Sequence, residues 1–126
     1  MGILSKLFQK MFLNELDRYG QSLGFSTWKE LDEHSFHIFT IPPDAEWFIT
    51  KLPNKKWAAW NDKGQPPFEY VEFPDWEEAI SYLRNVFEES GIPEEDWEPE
   101  GFDINDDVFL LLPDKNKRPL NIMDSI

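Results

Sequence analysis

Four short apolar runs between residues 35 and 73, each ended by a turn signal, place the strongest constraint on what this chain can fold into. The runs are rich in β-branched and aromatic residues, which favour strands, and each is followed by Pro, Asn or Gly residues. They cover residues 35–41, 46–52, 57–60 and 68–73. Because short connections join neighbouring runs, the pattern predicts an antiparallel four-strand meander.

An amphipathic helix is predicted ahead of the meander, over residues 3–23, because apolar side chains recur there at spacings of three and four. The stripe consists of Leu4, Leu7, Phe8, Met11, Phe12, Leu16, Tyr19 and Leu23. We expect this stripe to pack on the sheet. Lys6 and Lys10 make the first turns cationic, so contact with a membrane surface or with a partner helix stays open.

A second helix is predicted over residues 75–90. Asp75 is the expected N-cap, and Glu78 completes a capping box three residues later. Gly91 follows as the left-handed stop. An earlier capping box that starts at Thr27 predicts one short helical turn before the first strand.

The remaining segments complete the predicted order. Residues 92–107, called the acidic loop here, combine eight acids with two Pro and one Gly, which disfavours a regular element. Residues 108–112 form a continuous apolar run and are predicted to be a buried C-terminal strand. A short tail covers residues 114–126. The prediction is a single α+β domain over residues 1–126, with an N-terminal helix, a meander, a second helix, the acidic loop and a C-terminal strand, and with the helices on one face of the sheet.

The net charge of −13 is concentrated in one block of the chain. Residues 69–107 hold fifteen acids and one base, Arg84, whereas residues 1–68 are neutral overall. Such a block attracts basic surfaces and repels phosphate backbones. We therefore expect a basic protein surface as the partner and no direct contact with nucleic acid, which needs Lys and Arg to displace counterions.

Several classes of protein are disfavoured by what the sequence lacks. Without cysteine the chain has no disulfide, no thiolate metal site and no cysteine nucleophile. Its apolar runs are far shorter than a membrane span, and its first residues do not form a signal peptide. A membrane is therefore not an expected partner, and a cytoplasmic location is predicted.

No metal, other cofactor or catalytic residue is predicted. Residues 103–107 match the opening of a calcium-binding loop, but Val108 occupies the position where that loop needs Gly. His34 and His37 would lie on opposite faces of an extended segment. The sequence has no nucleophile elbow and no Gly-rich phosphate loop, so we do not expect an enzyme.

The acidic loop is the predicted partner-binding site. Its carboxylates would take the place of phosphates, and its two aromatic side chains would act as apolar anchors. The acids are Glu94, Glu95, Asp96, Glu98, Glu100, Asp103, Asp106 and Asp107. The aromatic residues are Trp97 and Phe102, and the alternative for them is that they attach the loop to the core.

Three functional hypotheses follow, and the charge and spacing patterns do not themselves define an oligomeric state. The first is a small acidic protein that blocks or masks a basic partner, as inhibitors, immunity proteins, antitoxins and nucleic-acid mimics do. The second is an acidic secretion chaperone or adaptor, which predicts a homodimer with an exposed apolar groove. The third is a small-molecule-binding or catalytic domain with a pocket lined by Trp47, Trp57, Trp60 and Tyr70.

Overall fold

The computed structural model describes residues 2–43 and 45–117, and within residues 2–8 it describes the backbone only. Its elements are α1 (Gly2–Ser22), α2 (Trp28–Glu33), β1 (Ser35–Ile41), β2 (Ala45–Lys51), β3 (Trp57–Asn61), β4 (Tyr70–Phe73) and α3 (Trp76–Glu89). A 3₁₀ turn over Glu94–Asp96 follows α3. This order confirms the predicted α+β class with an N-terminal helix and a four-strand meander. Residues 118–126 of the predicted tail lie outside the described residues.

The four strands form one sheet in the order β1-β2-β3-β4, and each neighbouring pair is antiparallel. The register between β1 and β2 shifts between His37 and Phe39. A shift of this kind is a bulge, in which one strand carries an extra residue and bends. Because of it, the consecutive residues Ile38 and Phe39 both contribute to the same core cluster.

Both faces of the sheet are covered, so the prediction that the helices pack on one face is wrong. In β3, Trp57 and Ala59 belong to one buried cluster, whereas Ala58 and Trp60 belong to another. The reason is that β3 is apolar at every buried position, and alternate side chains of a strand point to opposite faces. Trp57 and Trp60 therefore lie on opposite faces of the sheet.

The two clusters are named by the helix that covers them. The α3-side core comprises Phe36, Ile38, Phe39, Ile49, Trp57, Ala59, Trp76, Ala79, Ile80, Leu83, Phe87 and Phe102. The α1-side core comprises Leu16, Tyr19, Leu23, Phe25, Leu31, Leu52, Ala58, Trp60 and Phe68.

Helix α3 begins and ends as its sequence predicts. The Asp75 side chain accepts a hydrogen bond of 2.9 Å from the backbone N–H of Glu78. Gly91 follows the helix with a φ of 70°, a conformation that glycine adopts without the steric cost of a Cβ. The buried side chains of the helix all belong to the α3-side core.

Helix α1 packs on the sheet through its C-terminal half. Leu16, Tyr19 and Leu23 are buried, whereas all residues from 9 to 15 are exposed. The prediction that the whole stripe is buried is therefore wrong for Met11 and Phe12. The side chains of Leu4, Leu7 and Phe8 lie outside the described residues. In the part of the chain that the structure describes, no helix is both long and apolar enough to cross a membrane.

The predicted C-terminal strand is not formed, because residues 108–111 make turns and a bend instead. The carbonyl of Asp107 accepts hydrogen bonds from the backbone N–H groups of Leu110 and Leu111, at 3.2 and 3.0 Å. The side chain of Asp107 also accepts one from the N–H of Phe109, at 2.9 Å. Local bonds of this kind compete with strand pairing and bend the chain.

Candidate protein-binding surface

The two aromatic side chains of the acidic loop attach it to the α3-side core. The ring of Trp97 lies 5.2 Å from that of Phe87 and 6.1 Å from that of Phe39, between centroids. Phe102 is only 3% exposed, and its ring lies 5.7 Å from that of Trp76. Phe102 is thus almost wholly buried in the α3-side core, which is the arrangement expected of the alternative in which it attaches the loop to the core. Trp97 is partly buried.

Arg84, the single base among residues 69–107, ties the start of the loop to α3. Its guanidinium donates to both carboxylate oxygens of Glu94, at 2.8 and 2.6 Å, and to Glu88 at 3.0 Å. It also lies 5.0 Å from the centroid of the Trp97 ring. The hydrogen bond to Glu94 is the main reason that the pKa of Arg84 is raised. The 3₁₀ turn is thus fixed against the helix.

Glu100 attaches the middle of the loop to the outer edge of β1. Its backbone N–H donates to the carbonyl of His37 at 2.8 Å, and its Oε1 accepts from the N–H of the same residue at 3.0 Å. Its Oε2 lies 3.4 Å from the Nζ of Lys115. Both oxygens are therefore engaged, and the role of Glu100 in this conformation is to hold the loop on the sheet.

Asp106 organises the end of the loop. Its Oδ2 accepts a hydrogen bond from the backbone N–H of Asp103, at 2.8 Å, and another from the Nζ of Lys117, at 3.2 Å. The bond from the Asp103 backbone, followed by the bond from Lys117, lowers the pKa of Asp106. The bond to Asp106 likewise raises the pKa of Lys117. The carboxylate of Asp103 lies 3.8 Å from the same ammonium.

Glu95, Asp96 and Glu98 differ from the other acids of the loop. All three are exposed, and within the described residues their carboxylates make no hydrogen bond or ion pair. Glu94, Asp103 and Asp107 are also exposed, but each is engaged in one of the contacts above or in the turn after Asp107. The structure thus divides the predicted acids into those that shape the loop and those that remain available.

A groove of about 630 Å³ runs along the loop. Its apolar lining consists of Trp97, Pro99, Phe102, Ile104, Val108 and Phe109. Its acidic lining consists of Glu94, Glu95, Glu98, Asp103, Asp106 and Asp107. Eight of the ten predicted site residues line this groove, and the other two, Asp96 and Glu100, do not.

The sequence analysis missed the exposed apolar residues beside this groove. Ile104 is 72% exposed, and Leu110 and Leu112 are 75% and 64% exposed. Leu110 and Leu112 were assigned to a buried strand because a continuous apolar run fits one. The signal against burial is Asp107, whose side chain favours a turn directly before the run.

The structure does not form the aromatic pocket of the third hypothesis. Trp57 and Trp60 are buried in different cores on opposite sides of the sheet, so they cannot line one cavity. Among the described residues, no group of three or more His, Asp or Glu side chains is arranged to hold a metal ion.

The candidate site is therefore a fixed, acidic and partly apolar groove with three unengaged carboxylates beside or near it. A surface of this kind suits a partner that carries both basic and apolar side chains. Comparisons with protein-family models, with curated proteins and with solved structures find no match for this chain.

Proposed function

We propose that this chain is a small acidic protein that binds a basic protein surface and masks it. The observation that carries the proposal is that some residues of the acidic loop hold its conformation while other carboxylates of the loop remain exposed. Glu100, Asp106, Trp97 and Phe102 fix its shape, while other carboxylates point to solvent around the groove. A loop held in one conformation loses little entropy when it binds, which favours affinity.

Charge supports a basic partner. Residues 85–107 contain ten acids and no base, so the surface around the groove has one sign. A field of one sign steers an oppositely charged partner and raises its association rate at low salt. This is the behaviour expected of an inhibitor, an immunity protein or a nucleic-acid mimic that occupies the basic site of another protein.

The apolar lining supports a protein partner in preference to a free cation. Trp97, Ile104, Val108 and Phe109 line the groove, and the exposed Leu110 follows directly in the chain. Interfaces commonly surround an apolar centre with charged groups at the rim. We expect Lys or Arg side chains of the partner to approach Glu95 and Glu98 while an apolar side chain enters the groove.

Charge neutralisation tests the proposal. The triple variant Glu95→Gln, Asp96→Asn, Glu98→Gln removes the unengaged carboxylates, which make no hydrogen bond or ion pair within the described residues. Its matched control is Glu69→Gln, Glu72→Gln, Glu89→Gln, which removes three exposed charges outside the loop. Each protein is immobilised and used to capture partners from a lysate of the native host, with elution in salt steps.

We expect wild type and the control to retain the same basic protein and to release it as salt rises. The loop variant should retain it much less. Equal retention by all three proteins, or retention that ignores ionic strength, would contradict the proposal.

The adaptor hypothesis, in which the strands and the N-terminal helix hold another chain, remains a second candidate because apolar side chains such as Met11 and Leu13 of α1 are exposed. It predicts a homodimer, whereas the masking proposal needs no second copy. A monomeric mass in light scattering, together with salt-sensitive capture, favours masking over the adaptor role.

A further inference from the structure

Two aromatic rings line the groove beside the acidic loop, and they lie almost parallel to one another. The planes of the Trp97 and Phe109 rings differ by 12°, and their centroids are 6.3 Å apart. Both side chains are only partly buried. The face of an aromatic ring carries partial negative charge and attracts cations. This part of the groove therefore suits a cation as well as an apolar side chain.

The carboxylates of the lining fall into two groups. One group is already paired with bases of the chain itself. Arg84 pairs with Glu94 at 2.6 Å, and the Nζ of Lys117 lies 3.2 Å from Asp106 and 3.8 Å from Asp103. The acids of the lining that have no base beside them within the described residues are Glu95, Glu98 and Asp107. The groove therefore combines uncompensated negative charge with aromatic rings.

Arg84 shows how this loop holds a guanidinium group. Its Nη2 donates to both carboxylate oxygens of Glu94, while its guanidinium carbon lies 5.0 Å from the centroid of the Trp97 ring. A planar guanidinium donates to a carboxylate along its edge and packs on an aromatic ring with its face. The ammonium of lysine is a compact, strongly hydrated charge without such a face. A site that offers carboxylates together with rings therefore suits arginine better than lysine.

We propose that the groove selects arginine over lysine in the basic segment that it binds. The inference rests on the proposed function and adds the side-chain chemistry of the partner. An arginine of the partner lies on the rings of Trp97 and Phe109 and donates to Glu98, while a neighbouring apolar side chain contacts Ile104 and Val108. The groove, at about 630 Å³, has room for both side chains, since ligand pockets span about 300–1,000 Å³.

Two short capped peptides test the proposal on the full chain. In one peptide two arginines flank a leucine, and in the other two lysines flank it, so that the charge is equal. Titrations followed by NMR at low salt give both dissociation constants. We expect the arginine peptide to bind about two- to fivefold more tightly, as one cation–π contact at an exposed site provides. The largest shifts should occur at the indole N–H of Trp97 and the backbone N–H of Phe109.

Phe109→Leu and Tyr82→Leu form a matched pair, because each replaces an aromatic ring with leucine and only Phe109 lines the groove. Phe109→Leu should remove most of the preference for the arginine peptide, since the apolar character stays and the aromatic face is lost. Tyr82→Leu should keep the preference.

Glu98→Gln tests the acidic half of the site without disturbing the packing. Its carboxylate makes no hydrogen bond or ion pair in the part of the chain that the structure describes. We expect the arginine peptide to bind this variant about two- to fivefold more weakly, as expected for loss of one exposed ion pair. Glu89→Gln removes an exposed acid outside the lining and should leave the dissociation constant unchanged.

Three outcomes would overturn the inference. They are equal or tighter binding of the lysine peptide, shifts confined to residues outside the lining, and no binding of either peptide at low salt. Failure of the masking proposal has a different signature, namely equal capture of the basic partner by wild type and by the triple loop variant. The two proposals are therefore distinguished by separate measurements.

Discussion

Individual acids of the loop have different physical roles although the sequence presents them as one run. Asp106 and Glu100 accept hydrogen bonds from the backbone and from Lys side chains, while Glu95 and Glu98 make no such contact within the described residues. Residues that accept backbone N–H groups determine loop shape. The acids that remain exposed determine the field that a partner meets.

The change Asp106→Asn should destabilise the protein at neutral pH, and this difference should disappear in acid. The pKa of Asp106 is lowered by folding, so its stabilisation is present above the ordinary value of 3.8 and is lost as pH falls through the lower folded value. Urea unfolding of both proteins at a series of pH values measures the difference. Asp96→Asn is the control, and its difference from wild type should not follow this pattern.

Loss of Arg84 should loosen the beginning of the acidic loop. Arg84→Ala removes the paired hydrogen bonds to Glu94 and the contact with the Trp97 ring. Because Glu94 is largely exposed, we expect a cost of only about 1 kcal/mol in the free energy of unfolding. Urea unfolding and hydrogen exchange at residues 94–97 check this. Lys63→Ala, an exposed base elsewhere, should leave both measurements unchanged.

At the scale of elements, sequence patterns predicted the structure wherever a local rule and the global packing agree. Asp75, Glu78 and Gly91 mark α3 because capping bonds are local and leave a signature in the chain. The predicted strand over residues 108–112 is wrong because an apolar run indicates burial but does not show whether a neighbouring strand is available for pairing. The outer edge of β1 is occupied at His37 by Glu100, a contact between residues far apart that no local pattern reveals.

The candidate site was predictable in composition but not in arrangement. The sequence indicates which residues are acidic, and it places Trp97 and Phe102 among them. It does not indicate that Phe102 is buried or that Lys117 returns to Asp106, because both depend on the tertiary path of the chain. Coverage of both sheet faces does have a local signal, because β3 is apolar at four consecutive positions.

Gly20 shows how packing between elements can reverse a local preference. A Cβ at Gly20 would lie 2.8 Å from the backbone oxygen of Thr27, at the start of α2. In an exposed helix Gly→Ala stabilises by about 0.5–1 kcal/mol, but here we expect Gly20→Ala to destabilise by about 1–3 kcal/mol. Thermal or urea unfolding gives the sign. Asn14→Ala, at an exposed position of α1, should be neutral or stabilising, and a stabilised Gly20→Ala protein would contradict the packing described.

At the scale of the whole molecule, repulsion among the acidic side chains lowers the stability of the folded state. Residues 69–107 carry a net charge of −14 on α3, the acidic loop and the segments around them. Like charges held close together destabilise the compact state, and the cost falls as salt screens them.

The triple variant Glu95→Gln, Asp96→Asn, Glu98→Gln should consequently be more stable than wild type at low salt. The expected rise in Tm is small, about 2–4 °C, and it should shrink towards zero near 1 M salt as the Debye length falls to about 3 Å. Calorimetry at several salt concentrations measures it. A variant that is less stable at low salt would show that these carboxylates make structural contacts after all.

The two hydrogen bonds between Glu100 and His37 also affect whether a strand of another molecule can pair with the edge of this sheet. A foreign strand that approached β1 would first have to dislodge a residue whose backbone and carboxylate both occupy the bulge. At the opposite margin, β4 is short and carries Glu72, with Pro74 directly after it, and such features discourage edge-to-edge growth. Both edge strands of the sheet thus carry features that disfavour pairing with further strands.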